Sequence, residues 1–232
     1  CGGEARRQRA GMRPVEEIAD SPLPGVSLGH GWTLYTLEPL SAATAEAVLR
    51  EPVAAVPASL AERLGALRVF AAPYLACGGE AEFVTAEPPA GPRHSSLWLE
   101  PPEGLALFLA FHDADAHDVG FELLAAVADL AVPRLTDQEF AAYERLLHRE
   151  RREGATGEID EEALEARRDA DPRYPAASLA GTLVEYLHVL WHDVEVRSGP
   201  EHLAPKFLRR RFQLLQKLFP PNPGYVLFAS AE

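Results

Sequence analysis

Cysteine is nearly missing from this 232-residue sequence: Cys1 and Cys77 are the only two. That excludes a disulfide framework and any paired CxxC zinc ribbon. Both open the same pentapeptide, CGGEA, at 1–5 and 77–81, but the residues that follow diverge, so no internal repeat is implied. Long apolar runs are missing too. None approaches the roughly 18 residues that cross a bilayer, so no transmembrane helix is expected. Basic charge is scarce: the formal balance is −13, and most of such a surface repels a phosphate backbone, which argues against general nucleic-acid binding. Also absent are the phosphate-binding glycine loop, GxSxG, HExxH, GxGxxG and EF-hand spacings.

What is present is ordinary for a globular protein, with 47% apolar and 25% charged residues. Lysine occurs only as Lys206 and Lys217 while arginine and alanine abound, the bias of a GC-rich bacterial genome. Charge is uneven. Residues 205–232 hold five basic side chains against the single acid Glu232, a balance of +4 that leaves −17 on the rest. Cys1 in first place suits the lipid-anchored residue of a bacterial lipoprotein, whereas Met12, the only methionine, suits a start site. The expectation is a cytoplasmic protein, with a lipid anchor through Cys1 as the alternative.

Along the chain, residues 1–29 are polar and broken by Pro14, Pro22 and Pro24, and read as a flexible arm; 30–232 reads as a single α+β domain. GWTLYTLEP (31–39) is β-like, SAATAEAVLRE (41–51) is a short helix closed by Pro52, and 59–64 is another that stops at Gly65. Strands follow at 66–76, 81–87, 95–100 and 105–112, separated by glycine and proline turns. Their close spacing predicts mainly antiparallel pairing, and the unbroken apolar run at 105–111 predicts a central strand. Helices are expected at 118–131, from the capping box TDQE (136–139) to about Arg152, and at 160–169, 176–196 and 205–218. GYVLFAS (224–230) is a candidate C-terminal edge strand. Strands first and helices afterwards define an α+β fold.

Two segments carry chemistry. The first is HDADAHD (112–118), where metal- and proton-binding side chains follow the central strand. Asp113 and Asp115 would share a face there, yet Asp115 is equally a helix N-cap, with Asp118 and Glu122 complementing the helix dipole. The second is the 176–196 helix. At about 100° per residue, Glu185, His188, His192 and Glu195 share a stripe about 80° wide with Gly181, bordered by leucines and valines. Histidines at i and i+4 can chelate one divalent ion, and a glutamate one turn away can be a ligand or a general base. The plain alternative is that the imidazoles bond to neighbouring carboxylates or backbone. VLWHDVE (189–195) resembles the His-Asp helix of the HD phosphohydrolases over a few residues, but no aspartate follows Asp193, where that family needs one.

The basic helix around Arg209, Arg210 and Arg211 has an apolar face of Phe207, Leu208, Phe212, Leu215 and Phe219, with the arginines read as lying largely off it. It either docks on its own domain or offers a cationic patch to an acidic protein or a small anionic ligand. The leading expectation is therefore a non-enzymatic binding or interaction protein, using Arg209–Arg211. The rival is a zinc-dependent hydrolase. In that reading His188, His192, Asp113 and Asp115 are ligands, and Glu185 or Glu195 is the base on a metal-bound water.

Overall fold

The structure, a computed structural model, describes residues 12–78, 81–192 and 202–227. Its elements in chain order begin with β1 (Arg13–Pro14), α1 (Val15–Ala19), β2 (Gly25–Gly29) and β3 (Trp32–Thr36). Next come α2 (Ala42–Ala55), α3 (Ala58–Leu64), β4 (Leu67–Ala72), β5 (Tyr74–Gly78) and β6 (Ala81–Thr85). After β7 (Arg93–His94), β8 (Ser96–Leu99) and β9 (Leu105–Ala110), the chain turns helical. Those helices are α4 (Ala116–Ala131), α5 (Asp137–Arg152), α6 (Glu161–Arg168), α7 (Tyr174–Trp191) and α8 (Pro205–Leu218). This is an α+β fold. Two compact units are present: the described residues of Cys1–Ala54 with Leu64–Ala126, and those of Ala55–Arg63 with Val127–Glu232.

Unit one holds two sheets, ordered β1-β6-β5-β7 and β2-β3-β4-β9-β8. Five of the seven pairings are antiparallel, as the short turns predict. The exceptions lie at the centre, where β3, β4 and β9 run parallel. A parallel neighbour needs a long crossover. The α2–α3 segment supplies one between β3 and β4, and β5 to β8 intervene between β4 and β9. Pro73 makes this possible. It divides the apolar run at 66–76, and having no N–H to give a ladder it sends β4 and β5 into different sheets.

The parallel centre is tied by a stack of rings in register. Tyr35 lies opposite Phe70 and Phe70 opposite Phe108, with centroids 5.0 and 4.5 Å apart. Leu75 and Val84 from the other sheet join Phe70 and Phe108 in one buried cluster. Val15, Ile18 and Ala19 of α1 complete it, so within the expected arm α1 packs in this cluster and β2 pairs in a sheet. Its charged residues and prolines gave it the look of an arm, whereas each buried Val or Ile contributes about 1.5–3 kcal/mol.

Pro52, expected to close the 41–51 helix, lies inside α2. Val53, Ala55 and Val56 just beyond it are fully buried, and that packing offsets the missing backbone donor. Residues 224–227 do not form the expected edge strand, and 228–230 lie outside the described residues.

Unit two is built from capped helices. Thr136 and Glu139 form the reciprocal capping box of α5. Arg63 donates to both oxygens of Glu139 at 2.6 and 2.8 Å, and that hydrogen bond holds the Glu139 carboxyl down to about 2. Asp160 caps α6 by accepting from the Ala163 N–H at 2.7 Å. Its other oxygen lies against Gly181 of α7, where a Cβ would overlap Asp160 Oδ2. Gly181 belongs to packing rather than to a polar stripe.

Gly181→Ala therefore lowers stability by about 1–2 kcal/mol, because displacing the Asp160 cap outweighs the gain in helix propensity of about 1 kcal/mol. In an Asp160→Ala background the same change becomes stabilising. Urea unfolding of the four proteins in this cycle measures both signs, and a stabilising Gly181→Ala in the parent sequence contradicts the packing.

Candidate functional site

HDADAHD leaves the end of β9 as a structured loop. The Phe111 and His112 N–H groups donate to the Ala72 and Pro73 carbonyls at 2.9 and 3.0 Å, which seats the loop beside the β4–β5 break. The His112 ring lies 5.0 Å from that of Tyr74, the first residue of β5. Asp113 has φ +65°, a left-handed conformation that aspartate tolerates better than most residues. Its carboxylate accepts from Arg93 Nη1 at 2.7 Å. Asp115 is the N-cap of α4, accepting from the Asp118 N–H at 2.8 Å. Asp115, His117 and Asp118 form a cluster of potential ligand atoms, but all three are exposed and the cap accounts for the grouping.

Behind this loop is a cavity of about 390 Å³. Tyr74, His112 and Phe121 give it aromatic walls; Arg93, His94, Asp113, Asp118 and Glu122 supply polar groups. Glu122 is fixed by a 3.1 Å hydrogen bond from Ser96 Oγ, and Arg93 lies over the Tyr74 ring at 5.6 Å. With neutral imidazoles, three carboxylates face one guanidinium, so the lining is net negative. The cavity gathers residues from β5, β7, the β9 exit and α4, which only the strand order brings together.

A second group sits at the end of the four-stranded sheet. Cys77 on β5 lies directly opposite Glu82 on β6, and His94 on β7 is opposite Leu75, one same-face position along. Cys77 Sγ is 2.5 Å from His94 Nε2, and Glu82 Oε1 is 3.6 Å from that same nitrogen. None of these three residues was singled out from sequence. The antiparallel register of β5 and β6 puts Cys77 opposite Glu82, but the place of His94 depends on β7 pairing with β5.

The expected histidine stripe is changed by where α7 ends. The helix stops at Trp191, and His192 is its C-cap with extended backbone, φ −135° and ψ 156°. The rings of His188 and His192 lie 6.2 Å apart, and Glu185 approaches His188 Nδ1 at 4.0 Å. Glu195 lies outside the described residues. No third ligand-bearing side chain forms a cluster with His188 and His192 among the described residues. Asp113 and Asp115, expected to complete that shell, are engaged by Arg93 and by the α4 cap.

The arginine run corrects its own reading. Arg211 is fully buried, so it is no docking handle. It lies four residues after Phe207 and four before Leu215, inside the apolar seam of α8. Its Nε donates to Glu150 Oε2 at 2.9 Å, and its Nη1 donates to Glu158 Oε2 and Ser178 Oγ at 2.7 and 2.9 Å. Tyr174 donates to Glu158 at 2.5 Å. Arg210 pairs with Glu153.

The same cation pulls both glutamates down, yet they end on opposite sides of their ordinary values. For Glu158, burial alone would raise the carboxyl, but the hydrogen bond and charge of Arg211 outweigh it, helped by Tyr174, and hold it below its ordinary value. For Glu150 burial prevails over Arg211 and pushes the carboxyl up, and its Oε1 has no hydrogen-bond partner among the described residues.

The chain matches no protein-family model, no curated protein and no solved structure.

A stability difference follows from these two directions. Glu158, lowered when folded, adds stability above the ordinary carboxylate range and loses it as the pH falls through its folded value. Glu150, raised when folded, opposes folding above its folded value, and that penalty is relieved by acid. Near neutral pH, Glu158→Gln should destabilise by about 3 kcal/mol, and Glu150→Gln by clearly less. Denaturant unfolding near neutral pH and at about pH 4 should show the Glu158→Gln deficit shrinking in acid. Equal deficits for the two variants at both pH values would contradict the assignment.

Proposed function

We propose that this chain acts by binding rather than by catalysis, and that its binding site is the cavity of unit one between the β9 exit loop and α4. The observation that carries this reading is the lining. Aromatic faces from Tyr74, His112 and Phe121 stand beside Asp113, Asp118 and Glu122, with a single guanidinium from Arg93 already paired to Asp113. A cavity of about 390 Å³ is of a size for a small organic molecule. Net negative charge over aromatic walls selects a small organic cation, through Coulomb attraction and cation–π contact. An anion would have to displace Asp113 from Arg93 and face two further carboxylates.

This reading moves the binding surface away from α8. The three arginines do not form one free handle: Arg211 is inside the unit and Arg210 is engaged by Glu153, while Arg209 is exposed.

Calorimetric titration with choline and trimethylammonium, against acetate and phosphate as controls, tests the proposal. The ammonium ions should bind and the anions should not. Glu122→Gln should weaken ammonium binding by about tenfold, a loss of about 1.4 kcal/mol. Because a partly exposed charge contact is still screened, raised salt should weaken it further. Binding of the anions alone, or ammonium binding untouched by Glu122→Gln, would overturn the proposal.

A further inference from the structure

From Cys77, Glu82 and His94 we infer a binding site for one thiophilic divalent cation, zinc in the first instance, with three protein ligands and one open position. His94 borders both sites, but the inference rests on the Cys77–Glu82–His94 geometry and stands if no organic cation binds.

Three observations carry it. Antiparallel register sets one residue on each of three neighbouring strands, β6, β5 and β7, on a single face of the sheet. Ligand positions are thus fixed by backbone ladders rather than by a loop. The ligand atoms converge: one atom from each residue lies within 4.8 Å of those of the other two. Finally, Glu82 Oε2 is a buried oxygen with no hydrogen-bond partner among the described residues, an acceptor that a bound cation satisfies.

The geometry also separates this reading from a nucleophilic one. A thiolate–imidazole–carboxylate triad needs sulfur on one ring nitrogen and the carboxylate on the other, so that the acid orients the base. Here the sulfur and the carboxylate both face His94 Nε2, at 2.5 and 3.6 Å. Two groups meeting at one nitrogen are arranged as ligands around a common point. Loss of the thiol proton and small side-chain rotations then bring sulfur to about 2.3 Å and nitrogen to about 2.0 Å from the ion.

The donor set chooses the metal. Thiolate and imidazole are poor partners for magnesium and calcium and good ones for zinc and cobalt. Three ligands on a tetrahedral ion leave the fourth place to water. The side chains of Glu82 and His94 are 37% and 38% exposed, which leaves the ion a way in from solvent.

The test uses the full chain with Cys1→Ser, so that Cys77 is the only thiol. Cobalt(II) is titrated in and the thiolate-to-cobalt charge-transfer band is followed, with zinc as competitor. The expected result is one cobalt per chain, displaced by zinc. The band should be lost in Cys77→Ser and in His94→Ala, with affinity reduced about tenfold in Glu82→Gln. A folded protein that develops no charge-transfer band overturns the inference, as does cobalt binding unaffected by these substitutions. A second measurement needs no variant at the site. Zinc should slow alkylation of Cys77 by iodoacetamide in the Cys1→Ser protein, and an unchanged rate overturns the inference whether or not the site variants fold.

Discussion

Arg211 is the constraint on which unit two depends. A buried guanidinium is tolerated only where carboxylates and further acceptors surround it. Here Glu150 from α5, Glu158 from the segment before α6, and Ser178 from α7 all converge on it. Around that core, Tyr143 donates to the Ser178 carbonyl at 2.9 Å and meets Thr182 at 2.6 Å, and Tyr174 reaches Glu158. Arg167, 3.4 Å from Glu158, adds a second positive charge beside that carboxylate. Such networks often contribute little net stability against an apolar replacement, but removing one member leaves a buried charge uncompensated. The consequence is specificity: the faces of α5, α7 and α8 that pack together are those that bring these groups into range.

Unit one solves a different problem, how to present polar groups at the end of an apolar sheet. Parallel β4 and β9 are buried along nearly their whole length, and with β3 their backbones are fixed by ladders and by the Tyr35–Phe70–Phe108 stack. Pro73 then directs the chain out of that sheet into β5, and the β9 exit loop hydrogen-bonds to the break. Tyr74, His112 and Asp113 thus stand at a place set by rigid elements on either side, which is what a binding cavity requires. The same break carries β5 into the second sheet, where Cys77 meets Glu82 and His94.

Local signals in the sequence were read well where one short segment decides the outcome. The α5 capping box, the Asp115 cap and the end of α3 at Gly65 are all set by side chains and backbone preferences within a turn. The apolar run at 105–111 likewise made β9 a central strand. What required the tertiary fold was harder to see. No local property of Cys77, Glu82 and His94 shows that β7 pairs with β5 on the side away from β6. His192 sits at the right helical spacing from His188, but α7 ends one residue earlier. Arg211 was legible in part, since the spacing from Phe207 and Leu215 puts it in the apolar seam. Reading the three arginines as one charged patch obscured this.

Ligand binding is proposed for the unit-one cavity, whereas α8 is held in its own unit by the buried Arg211. The most direct measurement is a backbone amide chemical-shift map of the full chain during a choline titration. Shifts concentrated at Tyr74, His94, His112, Phe121 and Glu122, with the amides of 206–218 unmoved, are the predicted result. Shifts concentrated on 206–218 with the cavity amides silent would contradict the account.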